Sequence, residues 1–188
     1  MPDGWLVSFE RRHRILFYRH GLSGTPERID LPQGFTRQPD NGGVEALVRL
    51  ADGRLLMLSE EGGSDDLGWG WIGEPGAWKR LSYRRTGLFR PTSAAVLPNG
   101  DVLVLERSFT LVGGVASRLV RLKAADLRPG AVLEGTELFA LRPPLLVDNY
   151  EGLTVQKRRD GRLVAYILSD DNFNPLQATL LMAILLPD

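Results

Sequence analysis

"RPTSAAVLPNGDVLVLER", residues 90–107, decides how the chain is read. A short apolar run meets Asn99-Gly100, and a second apolar run, Val102 to Leu105, ends in Glu106 and Arg107. Asn-Gly between two hydrophobic runs is a hairpin signal, because both residues accept the positive φ that a tight hairpin turn requires. The same unit recurs on either side. "GGVEALVRLADGRLLMLSE" (42–60) turns on Asp52-Gly53, and "DNYEGLTVQKRRDGRLVAYILSDD" (148–171) turns on Asp160-Gly161. From Asp52 to Asn99 is 47 residues and from Asn99 to Asp160 is 61, part of the excess lying in the longer "QKRRDG" turn.

Each hairpin is followed by a second, more variable pair of strands: "GAWKRLSYR" after the first, "SRLVRLKAADL" and "TELFALR" after the second, "ATLLMAILLP" after the third. Two hairpins per 40 to 50 residues is the spacing of a β-propeller blade. Part of an earlier blade is visible in "WLVSFERRHRILFYRH" and "PERIDLP". Helical periodicity is nearly absent, with at most one turn in "LKAADLRPG". The expectation is an all-β, β-propeller-like fold in one domain over residues 1–188, with roughly three full four-stranded blades and part of a fourth, in a ring that need not close. A generic antiparallel sandwich also strings short strands between Gly-rich turns. The polar cluster that recurs at one place in every unit favours the propeller.

At 188 residues the chain buries a sizeable core without metal or disulfides, and 43% hydrophobic with 24% charged residues is ordinary globular composition. Twenty-three basic residues balance twenty-three acidic ones. Nothing in the bulk charge calls for nucleic acid or a membrane surface. Without cysteine there is no thiolate nucleophile and no Cys-ligated zinc. The apolar run Leu180 to Leu186 is far shorter than the roughly 20 residues that span a bilayer. It reads as a strand buried on both faces, one that either completes the blade begun near Trp5 or is covered by a second copy of the chain in a homodimer. No signal peptide is visible at the N-terminus, and the first strand, "GWLVSFE", starts inside a blade.

Three lookalike motifs fail. "GWGWIG" (68–73) matches a dinucleotide glycine pattern, but no helix follows to hold a pyrophosphate, so it reads as a loop. "GLSGT" (21–25) lacks the last glycine and the strand-to-helix turn of a nucleophile elbow. His13 and His20 offer too few nitrogen ligands for zinc and read as surface residues.

What survives is a set of oxygen-bearing side chains at one end of the units. Glu45 and Glu151 occupy matching positions at the start of the first strand, shortly after Asn41 and Asn149. In a propeller that strand lines the channel, so the two carboxylates converge near one mouth. Hard oxygens without a soft ligand favour Ca²⁺ or Mg²⁺. The second strands return to the same rim and end in Ser59-Glu60-Glu61, Glu106-Arg107 and Ser169-Asp170-Asp171-Asn172. Arg107 is the cation of that ring, able to pair with Glu106 or to hold an anionic substrate. "ERRHR" (10–14) reads as a solvated edge strand that would also suit phosphate.

"FERRHRI" (9–15), "ERSFTLVGGVASRLVRL" (106–122), "NYEGLTV" (149–155) and "SDDNFNPLQATLL" (169–181) closely resemble the bacterial phytase-like domain known as "esterase-like activity of phytase". The resemblance implies a propeller-like fold and hydrolysis of phosphoesters or other esters. It also implies a periplasmic or secreted location and an N-terminal part beyond this chain. Alkaline β-propeller phytases use Ca²⁺, which suits the oxygen-only rim as an analogy of fold.

The function expected is a metal-assisted hydrolase of a small ester or phosphoester, with calcium as cofactor. Glu45, Glu151 and Asn149 would hold the cation, Asp170 or Asp171 would act as base, and Arg107, Asn41 and Asn172 would bind substrate. Two alternatives use the same rim: a non-catalytic ligand- or calcium-binding module, and a sugar-lactone hydrolase.

Overall fold

In the computed structural model, which describes residues 4–19 and 21–187, the chain forms four sheets in sequence order. The first holds β1 (Trp5–Phe9), β2 (Arg14–Tyr18) and β3 (Glu27–Arg28). The second holds β4 (Val44–Arg49), β5 (Leu55–Gly63), β6 (Leu67–Gly73) and β7 (Lys79–Arg84). The third holds β8 (Arg90–Val96), β9 (Val102–Thr110), β10 (Gly114–Leu122) and β12 (Thr136–Leu141), and the fourth β13 (Tyr150–Lys157), β14 (Leu163–Ser169) and β15 (Leu181–Leu185). The short β11 (Val132–Leu133) leaves the third unit to pair in parallel with β7. Otherwise neighbouring strands are antiparallel.

The hairpin turns form where the sequence places them. Gly53, Gly100 and Gly161 have φ of 91°, 87° and 88°, a left-handed region that costs glycine nothing. The expected "LKAADL" turn is a single 3-10 turn, Ala124–Asp126.

Three apolar cores separate the four sheets. Leu47, Met57 and Trp71 of the second sheet meet Ile15 and Phe17 of the first. On its other face Leu56, Leu58 and Tyr83 meet Val102, Val104 and Val120 of the third. Leu103, Leu105 and Leu119 then face Tyr150, Ala165 and Ile167 of the fourth. β5 and β9 therefore bury both faces, which is why "LLML" and "VLVL" are unbroken apolar runs rather than alternating ones. The first strand of each sheet is an edge strand, and these edges lie side by side: β1 touches β4, β4 touches β8, and β8 touches β13.

Several expectations are corrected. The sheets contain three, five, four and three strands, not three full sets of four with a partial one. The apolar terminal strand β15 pairs with β14, not with the sheet begun at Trp5. Within the single chain it buries one face, Ile184 inward while Leu181 and Leu185 are 69% and 48% exposed, since no other sheet among the described residues covers its outer side. "GWGWIG" is not a loop but most of β6. Its glycines let neighbours close in: a Cβ on Gly70 would lie 2.3 Å from Leu81 Cδ1. Glu10 to His13 of "ERRHR" form the β1–β2 turn, with Arg11 at φ 61°, and only Arg14 belongs to a strand, as the first residue of β2. His13 is buried, its Nε2–H facing the carbonyls of Gln38 at 3.2 Å and Pro39 at 3.0 Å. His20 lies outside the described residues.

Candidate active site

The site is built by β-bulges. In each of the last three sheets the ladder between first and second strands slips by one residue near its start: at Glu45 between Val44 and Ala46, at Thr92 between Pro91 and Ser93, at Glu151 between Tyr150 and Gly152. A bulged residue drops out of the pairing and its side chain is re-aimed. Glu45, Thr92 and Glu151 thus hold equivalent positions in adjoining strands. Thr92 hydrogen-bonds the Tyr150 carbonyl at 3.2 Å, tying the third sheet to the fourth, while the other two present carboxylates.

Two further carboxylates join Glu45. Glu60 lies where β5 leaves its ladder with β6, between Leu58 and Gly63. The guanidinium of buried Arg85 donates to the carbonyls of Glu60, Gly62 (3.0 Å) and Ser64 (2.8 Å), pinning that irregular stretch. Glu10 comes from the β1–β2 turn, and its Oε1 accepts the Gly43 N–H at 2.9 Å. Gly43 permits this approach, since a Cβ there would lie 3.0 Å from His13 Nδ1. One oxygen from each of Glu10, Glu45 and Glu60 lies within 4.8 Å of the others.

Charge accumulates faster than it is balanced. Burial, followed by the charges of Glu60, Glu10 and Glu151, pushes the Glu45 carboxyl up to about 8, against a smaller opposing pull from Arg107. Burial also raises Glu60 to about 7; Arg107, its 3.4 Å ion-pair partner, pulls the other way. Glu45 Oε2 is buried and has no hydrogen-bond partner among the described residues.

The remaining residues expected from sequence divide into groups. Asn149 is 1% exposed, and its Nδ2 donates to Glu151 Oε1 at 2.7 Å. Asn41, its counterpart in sequence, is exposed. Asp170 accepts from the Asn172 N–H, and Asp171 accepts from the Phe173 N–H and the Thr179 hydroxyl, so all three predicted residues of 170–172 lie in one self-bonded loop. Ser59 and Ser169 are buried and bond to nearby backbone. Arg107 pairs with Glu60, not with Glu106. Adjacent residues of a strand face opposite ways, so Glu106 leaves the rim for the core, where Tyr83 and Arg118 bind it. Sequence reasoning passed over Glu10, hidden in a basic cluster. The glycine pair Gly42-Gly43 opposite it was the available signal.

The donor set suits a hard divalent cation. It is all oxygen, contains three converging carboxylates, and includes the buried Glu45 Oε2, which has no hydrogen-bond partner among the described residues.

The chain belongs to the phytase-like family described as "esterase-like activity of phytase", whose model matches residues 2–173. No curated protein matches it. Among solved structures it is similar to a protein of unknown function from Dyadobacter fermentans DSM 18053, with a TM-score of 0.51 and 11% identity over 98% of this chain. The chain spans 56% of that protein's length. An endo-arabinase from Bacteroides thetaiotaomicron VPI-5482 is matched with a TM-score of 0.45 and 14% identity, over 98% of this chain and 74% of the other.

Proposed function

We propose that this protein is a hydrolase of esters or phosphoesters, assisted by a divalent cation, calcium being the best fit, on a rim formed by propeller-like blades. The observation that carries the reading is the convergence of Glu10, Glu45 and Glu60 around an orphaned carboxylate oxygen, with Glu151 adding charge. Family membership supports the reaction class. The four successive sheets, touching through their first strands, support the blade reading.

Glu10 and Glu45 would hold the cation with Glu60 beside them, and Glu151, oriented by Asn149, would complete the negative field. A divalent cation in such a place polarises the ester and makes water a better nucleophile at neutral pH. The chain's own groups do the rest. Glu60, beside the cation and 3.4 Å from Arg107, accepts a proton from the attacking water. The water oxygen adds to carbon or phosphorus, the bond to the alcohol oxygen breaks, and the proton held by Glu60 passes to the departing alkoxide. Arg107 meets the negative charge that develops on the ester oxygens. Asp170 and Asp171 are bound up in their own loop, so Glu60 takes the role of base.

The test is hydrolysis of phosphate esters, carboxylic esters and lactones with Ca²⁺ and with chelator. Calcium-dependent turnover is expected, and Glu60→Gln should lower kcat about 100-fold or more. Calcium binding without turnover on any substrate would make the protein a binding module and overturn the reading.

A further inference from the structure

Next to the carboxylates lies a cleft of about 270 Å³ lined by Glu60, Glu61, Arg90, Arg107, Leu88 and Phe109, among others. Its two halves differ. Arg90 and Arg107 are direct cross-strand partners in the β8–β9 ladder, so their side chains leave the sheet on the same face. Like charges placed opposite each other in a sheet repel. Their counter-charges come from the next sheet at ordinary ion-pair range: Glu61 is 3.6 Å from Arg90 and Glu60 is 3.4 Å from Arg107. Each guanidinium carries five N–H donors in a fork that fits a planar or tetrahedral anion. Arg90 Nη1 donates to the carbonyls of Gly87 and Phe89 at 3.1 Å each, and its buried Nε, the atom that faces Glu61, makes no hydrogen bond among the described residues.

The other half of the cleft is apolar and faces water. Leu88, in the β7–β8 turn, and Phe109, two residues beyond Arg107 on the same face of β9, are each more than half exposed. Leu111 and Val112 continue this surface at the β9–β10 hairpin tip, both essentially bare. Apolar side chains gathered at the lip of a polar cleft mark a place where something apolar binds. A substrate polar on every side, such as a polyphosphorylated sugar or cyclitol, would leave them with nothing to cover.

We propose that the substrate is an amphiphilic ester, its anionic head held between Arg90 and Arg107 and its aliphatic or aromatic arm laid over Leu88 and Phe109. This names the substrate class of the hydrolase proposed above and rests on that reading.

Alkylphosphonates test head and arm together, because they bind without being cleaved. Calorimetry with methyl-, butyl- and hexylphosphonate, in Ca²⁺, should show affinity rising about tenfold from the shortest to the longest chain. Phe109→Ser and Leu88→Ser should flatten that rise, while Arg107→Gln should weaken all three ligands by about tenfold or more. Equal affinity for the three chains, or a chain-length effect that survives both apolar substitutions, overturns the inference. Hydrolysis of the matching alkyl phosphates reads out the reaction separately. Turnover without chain-length dependence sinks the amphiphile and keeps the hydrolase; chain-dependent binding without turnover of any ester does the reverse.

Discussion

Two glutamates are buried in this molecule in opposite company. Glu106, 0% exposed between the second and third sheets, accepts from the Tyr83 hydroxyl at 2.9 Å and from the Arg118 guanidinium, which also stacks 4.3 Å above the Phe89 ring. Glu45, at the rim shared by the first strands, has Glu60, Glu10 and Glu151 for neighbours and only a weak pull from Arg107. Burial raises both carboxyls. At Glu106 the two donors work against that rise; at Glu45 its neighbours add to it. The difference separates a carboxylate that the fold has given donors from one whose buried oxygen has no partner among the described residues.

The largest effect should come from breaking the satisfied member. Arg118→Ala leaves Glu106 buried without its cation and should cost about 3 to 5 kcal/mol. For a chain of this length that is a fall of roughly 6 to 20 °C in Tm, read by thermal unfolding at pH 7. A fall of only a degree or two would mean that Glu106 is not relying on its partners, and the contrast with Glu45 would lose its meaning.

Glu45 should show itself through pH. Between pH 4.5 and about 8 the folded protein keeps a proton on Glu45 that the unfolded chain has released, so folding binds protons and stability falls as pH rises through that window. Glu60 adds to the fall up to about pH 7. Part of the site is open to water, so about 2 kcal/mol is expected rather than the full shift, or about 4 to 8 °C of Tm between pH 5 and pH 8 without divalent cations. Glu45→Gln should remove roughly half of that slope. A Tm that rises across this range would contradict the assignment.

How much of this contrast is legible in the sequence depends on whether a position speaks through periodicity or through geometry. The hairpins at Asn99-Gly100 and its two counterparts are legible because one dipeptide dictates the backbone. The register of Glu45 with Glu151 is legible too, as a repeat. Their re-aiming is not, because a bulge adds one residue to a strand without changing its composition. Glu106 and Glu60 read alike, each a carboxylate ending an apolar strand. Only the parity of residues along β9, and Tyr83 arriving from another sheet, sends Glu106 inward. Likewise "GWGWIG" has the glycine content of a loop, and tertiary packing of Trp69 and Trp71 makes it a strand. The terminal apolar run misleads for a related reason: hydrophobicity shows that a strand is buried, not on how many faces.

Calcium should act on one glutamate and not on the other. A Ca²⁺ ion held as proposed would take the ionised carboxylates of the rim and displace their protons, so its stabilising effect should grow with pH. At 100 times Kd it amounts to about 2.7 kcal/mol at pH 8, and less at pH 5, where Glu45 and Glu60 are protonated. Tm measured with and without Ca²⁺ at the two pH values checks this. A calcium response of the same size in Glu45→Gln would move the cation elsewhere.

The smallest effect concerns the charges that surround Glu45. Glu60, Glu10 and Glu151 raise its pKa in that order of influence, while Arg107 lowers it. Carboxyl titration by NMR in calcium-free buffer should therefore order four variants. Glu60→Gln should bring the Glu45 midpoint down the most, Glu10→Gln less, and Glu151→Gln by a few tenths of a pH unit, since a charge partly screened by water acts weakly. Arg107→Gln should move it upward. The Glu151 result is the informative one, because Glu151 stands on the fourth sheet and belongs to the rim only through the bulge it shares in form with Glu45. Its carboxylate accepts a hydrogen bond from Asn149, which holds it in place. Asn149→Ala should therefore also lower the Glu45 midpoint slightly by freeing Glu151 to turn toward water. If Glu151→Gln leaves the midpoint untouched while Glu60→Gln shifts it, the fourth sheet lies outside the electrostatic site, and the site reduces to three carboxylates from the first two sheets.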